Sequence, residues 1–305
     1  MKCEMSSGPD AVRDTAPGRS GTSEGNAATE YESIPASPDL ELLATLKEKN
    51  LAAQGLMVIE GRIAIEKALD AGILPRFLVC TEAEEQYWRG RSADFPVRAM
   101  THEALCALVD FKFHRGAIAV ADMPKLVPFE GADTAPREVF LCLWDVTDPS
   151  NLGALLRTAA GLGVAGALLG PGCANPYYRK AIRTSMGNVF SIPLWSADLD
   201  ALQALNRNSA RIVAAALTEK ALTIAELSNH LLNKQGGPLV LILGNEGYGL
   251  PAEVLHLCTD EVRIPMARGV DSLNVAVAGG ILMYELLQRR QWLDLGLKAC
   301  CKRDL

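Results

Sequence analysis

The sequence predicts an α/β protein whose larger part is a mostly parallel sheet with helices on both faces, preceded by a small α/β unit. Short apolar runs typical of strands buried on both faces alternate with helical patterns from residue 138 almost to the C-terminus. A shorter alternation of helix and strand patterns precedes them. A chain of 305 residues with 49% hydrophobic and 22% charged residues can bury substantial cores.

Four segments divide the chain. Residues 1–39 are rich in Ser, Gly, Pro and acidic residues, with three basic against seven acidic side chains, and are predicted to be disordered. Residues 40–123 are predicted to form the small unit, residues 124–137 a linker rich in Pro, and residues 138–305 the larger domain. The net charge of −6 argues against nucleic-acid binding, but −4 of it lies in the first segment. A basic face on the rest of the chain is therefore still compatible with the sequence.

The spacing of apolar side chains predicts two helices and three strands in the small unit. The predicted elements are a helix carrying Leu40, Leu42, Leu43 and Leu46, a strand at Gly55–Glu60, a helix carrying Ile63, Ile65, Ala68 and Leu69, and strands at Phe77–Cys80 and Arg115–Ala121.

The larger domain is predicted to alternate strands with helices, as parallel sheets covered on both faces do. The predicted strands are Val139–Trp144, Ala167–Gly170, Phe190–Leu194, Arg211–Leu217, Leu239–Leu243 and Glu261–Ile264. Helices are predicted to start near Asn151, Tyr177, Leu199, Ile224 and Pro251, and a last helix to run from about Ser272 to Trp292.

Membrane, secreted and metal-binding classes of protein are excluded by the pattern. No apolar run approaches the roughly 18 residues that a membrane span needs. The N-terminal sequence has the pattern of neither a secretory signal nor a transit peptide. The eight cysteines lack C-x-x-C spacing and the four histidines lack ligand spacing. We therefore predict a cytoplasmic protein with buried thiols, no bound metal and no histidine-based nucleophilic site.

The first strand of the larger domain ends in the polar segment Asp145–Gly153, and not in the G-x-G-x-x-G loop of a dinucleotide site. This argues against a nucleotide-dependent oxidoreductase. Asn151 is predicted to cap the following helix, whose free amides could hold an anion, and Arg157 follows on that helix. Taken alone, the segment is best explained as a capped helix with a solvated arginine.

Two glycine-bearing loops follow two later strands. Leu239–Leu243 leads into Gly244–Leu250, whose three glycines would let the backbone approach a ligand closely. Ile264 leads through a second loop, with Ser272 and Asn274, into a helix of small residues. These two polar residues are unusual there except as a cap or in a polar site. Each loop alone is nonspecific, because such turns and helices are common.

Together and in this order, the three segments resemble the signature motifs of the TrmH-type (SpoU) branch of the SPOUT superfamily, the RNA ribose 2′-O-methyltransferases. The motifs read D-P-S-N-L-G with its arginine, G-N-E-G-Y-G-L, and I-P-M with S-L-N-V, and the likeness covers about residues 138–292. The small unit, with Glu60–Arg62 and Phe113–Gly116, is similar to the ribosomal-protein-like substrate domain of rRNA-directed members.

The resemblance implies a trefoil-knotted sheet, an exception to the rule that folds avoid knots. It also implies S-adenosylmethionine as cofactor, no metal, a homodimer, and the 2′-hydroxyl of an rRNA ribose as methyl acceptor. A tRNA substrate and a non-catalytic RNA-binding protein of the same fold are the alternatives. By resemblance, the cofactor-binding residues are Leu243, Gly244, Ile264, Met266, Leu273 and Ala276.

The same resemblance assigns catalysis to Arg157, with Asn151, Glu246, Ser272 and Asn274 supporting the site. A guanidinium pKa above about 12 keeps an arginine protonated, so whether Arg157 acts as a base or as an orienting group stays open. For RNA phosphate the candidates are Arg179, Lys180 and Arg183 on one predicted helix and, more weakly, Arg62, Lys112, His114 and Arg115 in the small unit. A solvated basic face is the alternative for these residues.

Overall fold

Both predicted sheets are present in the computed structural model of the chain. The structure describes residues 48–109, 115–131, 134–135, 138–227 and 237–294, without the side chains of residues 48–50 and 288–294. Several predictions fall outside the described residues, namely the disordered segment 1–39, the helix at Leu40–Leu46 and the RNA candidates Lys112 and His114.

The small unit is a four-stranded mixed sheet with helices around it. Its elements are α1 (Glu48–Ala53), β1 (Leu56–Glu60), α2 (Arg62–Asp70), β2 (Pro75–Thr81), α3 (Glu82–Arg89), β3 (Val97–Met100), α4 (His102–Leu108) and β4 (Ala117–Asp122). The strand order is β1-β4-β2-β3, and β4 runs antiparallel to both of its neighbours. β4 begins at Ala117 and not at Arg115, because Gly116 has a φ of +75°, which no strand residue adopts.

The larger sheet has eight strands, all paired in parallel. Its strands are β5 (Val127–Pro128), β6 (Val139–Leu143), β7 (Gly166–Leu169), β8 (Leu194–Ser196), β9 (Arg211–Ala215), β10 (Leu222–Thr223), β11 (Leu239–Leu243) and β12 (Asp260–Arg263). The strand order is β10-β12-β9-β11-β6-β7-β8-β5. β5 lies within the predicted linker and pairs with β8, so this part of residues 124–137 extends the sheet edge.

Helices cover both faces of the parallel sheet. They are α5 (Pro149–Leu162), α6 (Arg179–Thr184), a 3-10 turn (Asn188–Phe190), α7 (Leu199–Arg207), α8 (Ala252–Leu255) and α9 (Val275–Asp294). Successive side chains of a strand point to opposite faces. In β6, Leu141 and Leu143 join the buried cluster that contains α5 and α9, whereas Phe140 and Cys142 join the cluster that contains α7 and α8. The predicted α/β class and parallel sheet are confirmed.

One predicted strand, Phe190–Leu194, is wrong. Phe190 ends the 3-10 turn and its ring stacks on Tyr177, with centroids 6.1 Å apart. The strand β8 starts only after Pro193, at Leu194. Gly187, with a φ of +75°, turns the chain before the predicted strand, and no local apolar pattern reports such a turn. The other predicted strands are found with ends shifted by a few residues.

The predicted starts of three helices also need correction. Asp148, and not Asn151, caps α5: its side chain accepts a hydrogen bond from the Ser150 amide (3.0 Å), and Pro149 occupies the first turn. α6 starts after the predicted Tyr177, and α9 starts at Val275 and not at Ser272. Asn151 thus lies in the first turn of its helix, whereas Tyr177 and Ser272 belong to the loops before theirs.

The small unit packs closely on the 3-10 turn of the larger domain. A Cβ on Gly187 would lie 2.7 Å from the Cα of Ala64 in α2, so only glycine allows this approach. Ile65 and Ala68 of α2 belong to the same buried cluster as Val189 and the core of the parallel sheet. A continuous apolar core therefore fixes α2 against the segment that follows α6.

Candidate active site

A cavity of about 560 Å³ opens where neighbouring strands of the parallel sheet end. The residues that follow β9, β11 and β12 line it, among them Leu217, Gly244 and Ile264. The loop Gly244–Leu250 and the segment Asp271–Leu273 complete the lining. Parallel α/β sheets bind ligands at the carboxyl ends of their strands, so the position suits a ligand site.

Five of the six residues predicted to bind the cofactor line this one cavity: Leu243, Gly244, Ile264, Met266 and Leu273. The sixth, Ala276, is not among the lining residues. It is half-buried and packs against the main hydrophobic core. The structure therefore brings together segments that lie far apart in sequence and leaves Ala276 as a packing residue.

The loop Gly244–Leu250 folds back on itself. Asn245 and Gly249 exchange backbone hydrogen bonds of 2.9 and 3.1 Å. A Cβ on Gly244 would lie 2.5 Å from the backbone of Gly249, and Gly249 itself has a φ of +73°. Both glycines are thus required by the shape of the loop itself, and the close approach of a ligand stays a prediction.

Three polar side chains, one from each motif, form a hydrogen-bonded chain. Asn151 Nδ2 donates to Glu246 Oε1 at 2.6 Å, and Asn274 Nδ2 donates to Asn151 Oδ1 at 3.0 Å. Glu246 belongs to the cavity lining. The amide of Asn151 therefore connects the start of α5 to both glycine-bearing loops.

Asn274 also caps the last helix. Its Oδ1 accepts hydrogen bonds from the amides of Ala276 (2.9 Å) and Val277 (3.4 Å). One side chain thus both starts α9 and holds Asn151. Ser272 is exposed and lines the cavity two residues earlier. The predicted cap or polar-site role divides between these residues: Asn274 is the cap, and Ser272 faces the cavity.

Arg157 lies on a different side of α5 from Asn151. It is exposed and is not among the cavity-lining residues. A helix turns about 100° per residue, which puts Arg157 about 240° around the axis from Asn151. Gly153, one turn before Arg157 on the same face, packs so closely on α6 that a Cβ would lie 2.5 Å from the Ala181 oxygen. Arg157 is therefore on the α6 side of the helix.

The three basic residues of α6 have different surroundings. Lys180 pairs with Asp148, the cap of α5, at 2.8 Å, and this hydrogen bond holds the pKa of the carboxyl below its usual value. Arg179 is half-buried and lines a small cavity against β1. Arg183 is exposed. Lys180 and Arg183 are therefore exposed, whereas Arg179 is half-buried.

The two described RNA candidates of the small unit also make intramolecular contacts. Arg62 lies 3.3 Å from a Glu84 carboxylate oxygen and 4.1 Å over the ring of Tyr87. Arg115 is half-buried, packs over Gly61 and reaches Met186 Sδ at 4.0 Å. Arg115 therefore lies beside the turn that joins α6 to the 3-10 segment.

Sequence reasoning missed several residues of the site. Asn245 Nδ2 donates to the backbone oxygen of Asp145 at 3.0 Å, which joins the ends of β6 and β11. The unusual φ of +58° at Asp145 marks this strand end, but conformation is not visible in a sequence. Leu217 and Thr218, after β9, also line the cavity. The rule that parallel strands end at one edge could have found these two.

Buried thiols match the prediction for two of the described cysteines, Cys80 and Cys142. Burial raises the pKa of Cys80 to about 11 and that of Cys258 to about 12, so both stay protonated and unreactive at neutral pH. In the described parts of the chain, no three His, Cys, Asp or Glu side chains gather as a metal site. No helix within those parts combines the length and hydropathy needed to span a membrane.

Comparison with known proteins gives one consistent family. The model of the SpoU rRNA Methylase family matches residues 138–284. The 23S rRNA (guanosine(2553)-2′-O)-methyltransferase of Bacillus subtilis is 30% identical over 250 residues, which are 81% of this chain and 94% of that protein. An uncharacterized tRNA/rRNA methyltransferase of Mycobacterium tuberculosis is 30% identical over 240 residues, covering 76% of this chain and 81% of that one.

Solved structures agree with these relatives. The crystal structure of an RNA 2′-O ribose methyltransferase has a TM-score of 0.69 at 30% identity and covers 84% of this chain and 97% of that chain. An AdoMet-bound rRNA methyltransferase from Sinorhizobium meliloti has a TM-score of 0.69 at 24% identity, covers 82% of this chain and 93% of its own, and shows the shared fold. The resemblance drawn from the three motifs is confirmed, and the chain belongs to the SpoU rRNA Methylase family.

Proposed function

We propose that this protein transfers a methyl group from S-adenosylmethionine to the 2′-hydroxyl of a ribose in ribosomal RNA. The observation that carries the proposal is the hydrogen-bonded chain from Asn274 through Asn151 to Glu246 at the cavity that the two glycine-bearing loops line. The relatives that cover most of the chain are named as rRNA and RNA 2′-O-methyltransferases. The family membership and the arrangement of the cavity therefore both support ribose 2′-O-methylation.

The cavity fits the proposed cofactor. Its volume of about 560 Å³ is within the range of sites for molecules of this size. Leu243, Leu273 and Ile264 offer apolar contacts for an adenine ring, and the Gly244 loop offers backbone groups. When bound, S-adenosylmethionine would supply an electrophilic methyl group on a sulfonium. The residues that would hold the cofactor are Leu243, Gly244, Ile264, Met266 and Leu273. Ala276 would support the packing of α9 behind these lining residues.

The polar side chains would orient the acceptor. Asn151, held between Glu246 and Asn274, presents a fixed amide next to the cavity, and Ser272 adds a hydroxyl. Fixed polar groups of this kind align reacting atoms and help to remove a proton from the attacking hydroxyl. Glu246 is the acceptor of this set that carries a negative charge. We assign Asn151, Glu246, Ser272 and Asn274 to this role.

Arg157 has a separate role in this proposal. A guanidinium stays protonated at neutral pH, and Arg157 is exposed on the α6 side of α5. It therefore acts as a positive charge toward the RNA and not as the base. The proposed RNA surface extends to the other basic candidates, which are Arg179, Lys180 and Arg183 on α6 and Arg62 and Arg115 in the small unit. Lys180 also forms an ion pair with Asp148.

Ribosomal RNA is favoured over tRNA by the length of the likeness. The match to the 23S rRNA enzyme covers 94% of that protein and so includes the small unit, which we propose as the substrate-binding domain. Residues 1–39 are proposed as a disordered tail and residues 124–137 as the connection between the domains. A cytoplasmic location is proposed because the buried thiols suit a reducing compartment.

The chain is further proposed to be knotted. The segment from Ile264 to Asn274 lines the cavity together with the loop Gly244–Leu250. After that segment α9 packs on α5 and β11, on the far side of β9 from β12. A passage of the C-terminal segment through a loop of the sheet accounts for this path and would form the trefoil.

A homodimer is proposed from the exposed face of α9. Val277, Ile281 and Tyr284 are 52%, 38% and 52% exposed and follow one another by four and three residues. This spacing puts them on one stripe of the helix. A second copy of the chain would cover such an apolar stripe.

Methyl transfer tests the proposal directly. Purified protein is incubated with S-adenosylmethionine carrying a labelled methyl group and with unmodified rRNA, and the label is mapped to a 2′-O position. Wild type should label rRNA in preference to tRNA, whereas Arg157→Ala should transfer at a small fraction of that rate. Undiminished transfer by Arg157→Ala would contradict the role proposed for Arg157 in the reaction, namely a positive charge toward the RNA, and no transfer by wild type would contradict the function.

A further inference from the structure

Basic side chains from both domains meet around the turn that follows α6. Lys67 of α2 donates from Nζ to Asn188 Oδ1 at 2.6 Å. Arg115 contacts Met186 of the same turn. Arg157 lies on the face of α5 that packs toward α6 and the 3-10 segment. We call Lys67, Arg115 and Arg157 the junction patch.

Two of these cations are close enough to affect each other. Burial and the positive charge of Arg157 lower the pKa of the Lys67 ammonium. Holding like charges together costs free energy unless an anion lies between them. In the described part of the chain no carboxylate pairs with either residue; Lys67 has the neutral amide of Asn188 as its hydrogen-bond acceptor. An external anion would relieve this repulsion.

The position of Lys67 is fixed by the packing of the two domains. Met186 and Gly187 both have positive φ, at 53° and 75°, and Gly187 touches Ala64, one turn before Lys67 in α2. Asn188 is itself anchored, since its Nδ2 donates to the Ser185 oxygen at 2.7 Å. The lysine is thus held against the 3-10 segment, on which α5 also packs, and is not a freely moving surface chain.

We propose that Lys67 and Arg157 together bind one backbone phosphate of the RNA substrate, beside the 3-10 segment on which both α2 and α5 pack. This rests on the proposed function, because that function makes RNA the anion that reaches this surface. Both side chains present hydrogen-bond donors and positive charge, which phosphate oxygens accept. The contact would set where the RNA crosses from the small unit to the methyltransferase domain.

Salt-dependent binding tests the proposal in the absence of cofactor. The probe is a fluorescently labelled, unmodified fragment of 23S rRNA transcribed in vitro, and Kd is measured between about 50 and about 200 mM salt. Each lost phosphate contact lowers the slope of log Kd against log salt by about 0.7 to 0.9. Lys67→Gln should bind the fragment more weakly than wild type does. The ratio of its Kd to the wild-type Kd should fall about threefold from the lowest to the highest salt concentration. Lys67→Arg should retain the wild-type slope.

The matched control is Arg207→Gln. Arg207 is an exposed cation at the end of α7, on the opposite face of the parallel sheet, so its loss should leave the slope unchanged. In the double variant Lys67→Gln/Arg157→Gln, the decrease in the salt slope should be smaller than the sum of the decreases in the two single variants, because both residues bind one phosphate. Thermal unfolding and S-adenosylmethionine binding of Lys67→Gln should match wild type.

Three results would overturn the inference: an unchanged slope for Lys67→Gln, equal losses for Lys67→Arg and Lys67→Gln, or additive losses in the double variant. Failure of the proposed function gives a different result, because wild type would then transfer no methyl group whatever its RNA slope. The two proposals are thus judged by separate measurements.

Discussion

Asn151 occupies the first turn of α5 without capping it. Asp148 takes the cap, and the Asn151 amide is left to bridge Glu246 and Asn274. The two polar atoms of the Asn151 amide make different hydrogen bonds: Nδ2 donates to the Glu246 carboxylate, and Oδ1 accepts from the Asn274 amide. No other uncharged side chain of this length offers a donor and an acceptor at these two positions.

This division of roles predicts the effect of Asn151→Asp. The new carboxylate could still accept from Asn274, but it would meet Glu246 at hydrogen-bond distance as a like charge. A lost hydrogen bond and the repulsion cost about 1 kcal/mol each near the surface, so methyl transfer should fall by more than about tenfold. The measurement is the rate of labelled-methyl incorporation with saturating cofactor.

A paired variant provides the control. In Asn151→Asp/Glu246→Gln the amide and the carboxylate exchange places, so the donor–acceptor pattern is restored and part of the rate should return. If the double variant is as slow as Asn151→Asp alone, hydrogen bonding between these two groups is not what the site requires.

At the scale of the element, α5 meets α6 at a glycine. A Cβ on Gly153 would lie 2.5 Å from the Ala181 carbonyl oxygen and 3.1 Å from Thr184 Cβ, whereas a Cβ on Gly161 of the same helix meets nothing within 4 Å. Two opposite effects are therefore expected from one substitution. Alanine gains up to about 1 kcal/mol over glycine inside a helix, but overpacking costs about 1 to 3 kcal/mol.

We accordingly expect Gly153→Ala to lower the free energy of unfolding and Gly161→Ala, near the end of the helix, to raise it slightly. Urea unfolding followed by circular dichroism measures both variants under the same conditions. Equal effects at the two positions would show that α5 and α6 are not in backbone contact.

The cap of α5 gives a pH-dependent prediction. The hydrogen bond from Lys180 and that from the Ser150 amide hold the pKa of Asp148 below its ordinary value. A depressed pKa stabilises the fold above the unfolded-state value, and this stabilisation is lost as the pH falls through the folded value. Asp148→Asn keeps a good cap but removes the charge.

Asp148→Asn should therefore be less stable than wild type at neutral pH, by a modest amount because the pair is solvent-exposed. The difference should vanish as the solution is acidified below the pKa of the folded carboxyl. Thermal unfolding of both proteins across that range is the measurement, and a difference that persists in acid would contradict the ionic explanation.

The sequence predicted elements well where burial is two-sided and poorly where tertiary contacts set the backbone. β6 and β11 are buried at every position, so their apolar runs were unambiguous. The 3-10 turn at Asn188–Phe190 has an apolar run as well, but Gly187 and the Tyr177 ring decide its shape. Such contacts leave no local pattern.

The site divides in the same way. The resemblance of the three motifs identified five lining residues of the cavity and all three members of the hydrogen-bonded chain. The motifs could not show that the face of α5 that carries Arg157 packs toward α6. The packing of α2 and α5 on the same 3-10 segment joins elements from separate domains, and no spacing rule predicts it.

At the scale of the whole molecule, the apolar stripe on α9 predicts assembly. Tyr284→Glu combined with Val277→Glu should convert the proposed dimer to a monomer, because two charges would be buried without partners. Light scattering after size-exclusion chromatography measures the mass. Leu74→Glu is the control, since Leu74 is also exposed, at 54%, but lies in the small unit. A wild-type mass of about 33 kDa would contradict the dimer.

The hydrogen-bonded chain from Asn274 through Asn151 to Glu246 has a consequence for the folding of the protein during its translation. The cavity needs Leu273, Val275 and Leu282 for its lining and Asn274 for its polar chain, and all of these are translated after β11. A nascent polypeptide that has released β6, α5 and β11 from the exit tunnel still has no closed pocket. Competence to bind cofactor is therefore acquired only after the segment up to Leu282 has left the exit tunnel, and ligand uptake by stalled chains of increasing length would report when that segment reaches its place.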